Sequence, residues 1–225
     1  MSTNLNLTAS RPRTLGVILF DDFELLDACG PLEMFGLLGR DLRVLTVAEQ
    51  QGLVRSAQGP ALLAEADFAT APELDVLLVP GGIGTGTELQ NPVLIEFLRT
   101  RAPRAELVTS VCTGSAMLAA SGVIDGHVAT SNKMFFELSR SVNPSVKWRE
   151  AARWVEDGDV FTSSGVSAGI DMALAVIARL FGRERAERVA LLTEYSWNRD
   201  ADNDPFTASL NQGSMDEYLG ALGRL

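Results

Sequence analysis

One histidine, His127, and two cysteines, Cys29 and Cys112, are all that 225 residues offer as imidazole or thiol. So sparse a set leaves few soft ligands for zinc, and two thiols fit a reducing compartment better than a disulfide-stapled secreted fold. Positive charge is also short: 19 Lys and Arg stand against 29 Asp and Glu, a formal net charge of −10, with no basic cluster. That balance argues against a nucleic-acid backbone or an anionic membrane surface as a main partner. No apolar run reaches the roughly 18 residues of a membrane span, and the polar first 13 residues lack the apolar core of a signal peptide. Residues 1–13 are therefore expected to form a flexible leader on a cytoplasmic protein.

What is present is a regular succession of apolar segments. With 46% hydrophobic residues and no gap in the pattern, one domain is expected over 14–197, and a C-terminal extension, 198–225, packing on it or on a dimer interface. Leu15–Phe20 reads as a strand leading to a helix with Pro31 in its first turn and Met34, Phe35, Leu37 and Leu38 as its apolar stripe. Asp75–Pro80 has no polar alternation, the pattern of a parallel strand buried on both faces, and it ends in Gly81-Gly82. Further strands are expected at 42–47, 106–111, 127–130, 153–155 and 160–163, with a hairpin or irregular excursion at 59–68. Helices are expected at 93–101, 115–120, 132–140, 167–181 and 183–195. This alternation implies an α/β sheet with helices on both faces, its ligands binding beyond the carboxyl ends of the strands. Asp27, Gly81, Gly82, Cys112 and Gly165 should all fall there.

Phosphate and metal motifs fail on spacing. Thr87 stands where a dinucleotide fingerprint beginning Gly82-x-Gly84 needs glycine, and Thr87-Glu88 replaces the Lys-Ser/Thr of a P-loop. Asp200-x-Asp202-x-Asp204 imitates the start of a calcium loop, but Pro205 and Asn211 occupy the glycine and glutamate positions, so the tail reads as a solvated loop. His127 follows Asp125-Gly126 and reads as a surface turn residue, which weakens a cysteine–histidine protease. Cys29, among apolar neighbours beside Gly30-Pro31, reads as packing. Trp148, Trp154, Trp197 and Phe206 either fill core or line a pocket, and residues 198–213 cover either the site or a dimer seam; periodicity leaves both open.

Cys112 is the best nucleophile candidate. A β-type segment, Glu106–Val111, stops and an alanine-rich helical segment begins within one residue, which places the thiol on a strand-to-helix elbow. The unpaired N–H groups of the helix then face the sulfur and are expected to favour the thiolate over an ordinary thiol of pKa about 8.5. Thr113 and Gly82 N–H groups are expected to form a two-donor oxyanion hole.

Leu77-Leu-Val-Pro-Gly-Gly, Val111-Cys-Thr-Gly-Ser, Ala129-Thr-Ser-Asn and Ser164-Gly-Val-Ser-Ala-Gly-Ile-Asp together resemble the ThiJ/PfpI superfamily, one of the class I glutamine amidotransferase-like folds. The opening Phe20-Asp-Asp-Phe-Glu-Leu-Leu-Asp-Ala-Cys-Gly-Pro is similar to its isonitrile hydratase branch. The resemblance implies a flavodoxin-like three-layer α/β/α sandwich with a mainly parallel sheet, a homodimer, and Cys112 as nucleophile on its elbow. It also implies Asp27 as the carboxyl partner, Thr113 as the elbow threonine, and Gly81, Gly82, Gly165, Val166 and Asn132 as the substrate surroundings. Relatives often carry His-Trp where this chain has Asn132-Lys133, which removes weight from proteolysis and adds it to a cysteine–carboxylate mechanism.

The implied activity is hydration of a small isonitrile to an N-substituted formamide, with no metal or organic cofactor required. Rival readings keep the thiol: deglycase, glyoxalase or amidase chemistry on small carbonyl compounds, or oxidation of Cys112 as a sensor. A ligand-sensing domain of an AraC-type regulator would be expected to carry a basic helix-turn-helix extension, and the sequence up to Leu225 shows none.

Overall fold

The computed structural model describes residues 11–224. Residues 1–10 of the expected leader lie outside the described residues; Arg11 is paired with Asp75 at 2.7 Å, and Arg13 already opens the first strand. In chain order the elements are β1 (Arg13–Ile18), α1 (Leu25–Gly36), β2 (Leu42–Ala48), β3 (Gly52–Arg55), β4 (Ala61–Ala64), β5 (Ala66–Asp67) and β6 (Val76–Val79). Then come α2 (Thr85–Glu88), α3 (Pro92–Arg101), β7 (Leu107–Val111), α4 (Gly114–Ala120), β8 (Val128–Ala129), α5 (Phe136–Val142) and β9 (Lys147–Trp148). The last are β10 (Trp154–Asp157), β11 (Val160–Ser163), α6 (Ala168–Phe181), α7 (Arg183–Leu192) and α8 (Met215–Ala221).

Seven strands form the main sheet in the order β10-β11-β7-β6-β1-β2-β5. All neighbours in it are parallel except β10 and β11. Without the two edge strands β5 and β10, the order β2-β1-β6-β7-β11 is the flavodoxin-like one, which reverses direction between β1 and β6. Every residue of β6 and β7 is buried, which is why their sequences show no polar alternation. Helices α1 and α6 pack together on one side and α3 and α4 on the other, giving the three-layer sandwich. The excursion at 59–68 is a hairpin arm, with Leu53 opposite Leu63 across β3 and β4.

Two helix starts differ from expectation. Pro31 sits inside α1 rather than in its first turn, because the helix begins at Leu25, where the preceding Glu24 makes no side-chain cap to announce it. Helix α5 begins at Phe136, four residues later than 132, because Asn132 and Lys133 are held in an extended loop by polar contacts described below.

Candidate active site

The elbow is built by close backbone approach. Cys112 takes φ +59, a left-handed conformation that is costly for a residue with a Cβ. Its N–H donates to the Ser163 and Ser164 carbonyls, each at 3.2 Å. Its carbonyl accepts from the Ser115 and Ser131 hydroxyls, each at 3.0 Å, and Ser139 joins this cluster at 2.7 Å from Ser131 Oγ. Those bonds over-determine the strained turn. Gly114 lets α4 start against β6, since a Cβ there would run into the Val79 carbonyl oxygen.

The sulfur faces three contributions from elsewhere in the chain. Asn132 Nδ2 donates to Cys112 Sγ at 3.1 Å. Asp27, fully buried in α1, accepts from Gly81 N–H through Oδ2 at 2.8 Å, while Oδ1 has no hydrogen-bond partner of good geometry. Burial pushes the Asp27 carboxyl well above the usual carboxylate range and Glu24's charge adds to the rise, against the Gly81 N–H, the Cys112 thiol and the Val166 N–H. Val166 itself stands at φ +50, turning the Gly165-Val166 segment toward the thiol.

The expected low-pKa thiolate is not what this geometry makes. Burial, and after it the Asp27 charge, push the Cys112 thiol well above its ordinary value, while the Thr113 N–H and the Asn132 amide pull it down by less. A two-turn helix start cannot offset removal from water beside a second acid. The expected oxyanion pair differs too: Gly82 N–H donates to Thr113 Oγ1 at 3.1 Å, and Thr85 Oγ1 lies 2.9 Å from the same hydroxyl. Gly82 is turned that way by its φ of +134.

Cys112, Thr113, Gly82, Asn132 and Val166 open on one cavity of about 380 Å³. Its far walls are mostly apolar, from Ile83, Met134, Phe135, Leu138 and Met215. Gly81 and Gly165 act from behind: a Cβ on Gly81 would lie 2.6 Å from Thr113 N, and one on Gly165 would lie 2.5 Å from Asn132 Nδ2. Sequence reasoning missed Glu24 and Tyr218, which also line the cavity and are hydrogen-bonded to each other. Helix α8, which carries Tyr218, had a sequence signal in Ser214-x-x-Glu217, and Ser214 Oγ does accept from Glu217 N–H at 3.3 Å.

Residues 198–213 buttress the site from outside the cavity. Asn211 N–H donates to the Lys133 carbonyl at 2.9 Å and Gly213 N–H to the Met134 carbonyl at 3.0 Å. Asp204, read from sequence as part of a solvated loop, is buried near Arg153 at 3.9 Å, while Asp200 and Asp202 are exposed. The four aromatics left open line no wall of the cavity: Trp154 is core, Trp148 packs edge-on against Phe136, Trp197 Nε1 donates to the Asp171 carbonyl at 3.1 Å, and Phe206 is exposed. His127 contacts Asp157 at 3.2 Å and does not reach the cavity; Cys29 is half-buried in α1 and does not reach it either. Among the described residues no cluster of His, Cys, Asp or Glu could hold a metal, and no helix is long and apolar enough to cross a membrane.

The class of protein is thus a flavodoxin-like sandwich with a cysteine on a strained strand-to-helix elbow, a buried carboxyl beside it and a Gly-Gly turn from the next strand. Within it, this chain belongs to the DJ-1/PfpI family, whose profile matches residues 13–179. It is 36% identical over 182 residues to an isonitrile hydratase of Pseudomonas putida, covering 81% of this chain and 78% of that one. It is 31% identical over 192 residues to the HTH-type transcriptional regulator GbdR of Pseudomonas aeruginosa, covering 82% of this chain but only 51% of the regulator. Among solved structures, a ThiJ/PfpI family protein from Pseudomonas syringae superposes with a TM-score of 0.76 at 28% identity, over 99% of this chain and 90% of that one.

Proposed function

We propose that this protein hydrates small isonitriles to N-substituted formamides, with Cys112 as nucleophile and Asp27 as proton carrier. The observation that carries this reading is the pairing of a buried thiol with a buried carboxyl, both held toward their protonated forms and with no histidine at the cavity. An isonitrile is neutral and its carbon must gain both a proton and a nucleophile. Protonated Asp27 gives its proton to that carbon, the Cys112 sulfur bonds to the same carbon, and the thiol proton passes to Asp27. The product is a thioimidate, R–N=CH–S–Cys112, and Asp27 ends protonated as it began. Asn132 Nδ2 steadies the sulfur as charge builds on it. The 36% identity to an isonitrile hydratase across four-fifths of the chain supports the same substrate class, and the apolar far walls suit an uncharged R group.

The test is turnover of an isonitrile panel, with formamide quantified by NMR, by the wild type, Cys112→Ala and Asp27→Asn. Wild-type turnover with both variants reduced at least about 100-fold is expected. Full activity in Cys112→Ala removes the mechanism. The likeness to a transcriptional regulator favours a second reading, ligand capture without turnover; that reading calls for isonitrile-induced thermal stabilisation of the wild type with no formamide formed.

A further inference from the structure

Glu24 plays no part in thioimidate formation, yet its side chain shares the cavity with Cys112. It is only 9% exposed. Its two side-chain donors are both neutral: Gln58 Nε2 at 2.8 Å and the Tyr218 hydroxyl, each bonded to Oε2. No donor from the described residues reaches Oε1. Three separate parts of the chain hold this side chain on the mostly apolar cavity: the start of α1, the turn after β3, and α8. The Tyr218 phenol stays a donor, because burial and then the Glu24 hydrogen bond raise it. Glu24's charge in turn reaches both Asp27 and Cys112, raising each.

We propose that Glu24 is the general base that activates the water which releases the product from Cys112, with Tyr218 and Gln58 fixing one carboxylate oxygen so that the other faces the cavity. This rests on the isonitrile hydration reading. The water oxygen bonds to the thioimidate carbon while the C=N π pair moves to nitrogen; Glu24 takes the water proton and Asp27 gives its proton to that nitrogen. The tetrahedral adduct R–NH–CH(OH)–S–Cys112 then collapses. The carbon–sulfur bond breaks with its pair on sulfur, Glu24 returns a proton to the sulfur, and the hydroxyl proton passes to Asp27 as the formamide carbonyl forms. Nothing is oxidised or reduced, and thiol, Asp27 and Glu24 regain their starting states.

The experiment is rapid-quench mass spectrometry of the wild type and Glu24→Gln with an isonitrile, followed by addition of hydroxylamine. The amide oxygen that this substitution introduces still accepts from Tyr218, so the cavity keeps its wall. Glu24→Gln is expected to accumulate one equivalent of Cys112 adduct and to release it at least about 100-fold more slowly than the wild type. Hydroxylamine, a nucleophile that needs no base, should clear that adduct. Equal adduct breakdown in the two proteins overturns the role of Glu24 while leaving hydration intact; absence of both adduct and formamide with the wild type overturns the hydration reading itself. Should Glu24→Gln fail to fold, wild-type adduct breakdown in D2O decides: slowing is expected when water loses a proton in that step, and no slowing overturns the proposal.

Discussion

Asn132 presents its amide nitrogen to the Cys112 sulfur at 3.1 Å and its amide oxygen to the Phe135 N–H at 3.0 Å, so the orientation of the group is fixed at both ends. Gly165 lies flush beneath it. An imidazole in this place would carry protons to and from the sulfur. An amide donates a hydrogen bond without acting as an acid or base near neutral pH, so the proposed hydration assigns proton transfer to the carboxyls.

Removing that donor should make the thiol a weaker acid still. Asn132 is one of the two groups that lower the Cys112 pKa, and a hydrogen bond to a charged group contributes about 1.5–3 kcal/mol. Asn132→Ala is expected to slow iodoacetamide alkylation of Cys112 at pH 8 about tenfold. The rate should still climb with pH beyond 9, because the thiol of the parent protein already lies above its ordinary value. An unchanged alkylation rate would show that the amide does not act on the sulfur.

Asp27→Asn should separate reactivity from catalysis. The ionised Asp27 carboxylate raises the thiol, so at a pH high enough to ionise Asp27 the variant is expected to alkylate faster than the wild type, while losing isonitrile turnover at least about 100-fold. Stability should move as well. Folding raises the Asp27 pKa, so between the unfolded value near 3.9 and the raised folded value the native state binds more protons than the unfolded chain. Stability from this group is full below that lower limit and is lost as pH rises through the folded pKa. Asp27→Asn, which keeps an oxygen for Gly81 N–H, should therefore melt higher than the wild type at pH 8, and the gap should narrow toward pH 4, as thermal denaturation across that range would read.

Much of this was legible before the structure because the signals were local. The fully apolar Val76–Val79 and the abrupt change of period at Cys112 report burial and a turn within a few residues, and β6, β7 and the elbow lie where they were expected. The start of α1 carries no such local mark, because Glu24 leaves the helix without a side-chain cap and Pro31, the visible helix-start residue, lies inside it. The acidity of the thiol is hidden from the sequence for a different reason. A helix N-terminus is visible in sequence, whereas the removal of Cys112 and Asp27 from water is a property of the packed sandwich. Glu24 and Tyr218 stand 194 residues apart, and no periodicity connects them.

Lys133 should anchor the loop that presents Asn132. Buried in the fold, its Nζ donates to Thr130 Oγ1 at 2.9 Å, to the Ser131 carbonyl at 3.3 Å and to the Ala152 carbonyl at 2.6 Å. Burial brings its pKa from 10.5 down to about 8. Lys133→Met leaves these acceptors short of a donor, although Thr130 Oγ1 still reaches the Ala152 carbonyl at 3.2 Å. A loss of about 1–3 kcal/mol is expected in urea unfolding at pH 7. Between about 8 and 10.5 the folded wild type binds fewer protons at this group than the unfolded chain, so its contribution to stability rises with pH there, and Lys133→Met should lose that rise.

Gly81→Ala should abolish the site while sparing the sheet. The glycine follows β6 and Pro80, and its N–H is the donor that holds Asp27. A Cβ on it would meet Thr113 Oγ1 at 2.5 Å, Thr113 N at 2.6 Å and Cys112 Cβ at 3.0 Å. The hydroxyl can rotate away, but the backbone nitrogen cannot, and the elbow is already strained and pinned by Ser115 and Ser131. Relief must come from a shift of the Gly-Gly turn away from β7, which draws the Gly81 N–H off Asp27 and leaves a buried carboxyl without its strongest donor. Turnover of isonitriles is expected to fall by at least about 100-fold, as misplacement of reacting groups by an ångström does. The far-UV circular dichroism of the variant should match the wild type, because β6 and β7 make their contacts upstream of the turn. Retention of wild-type turnover would mean that the Gly81–Asp27 contact does not set the geometry of the thiol.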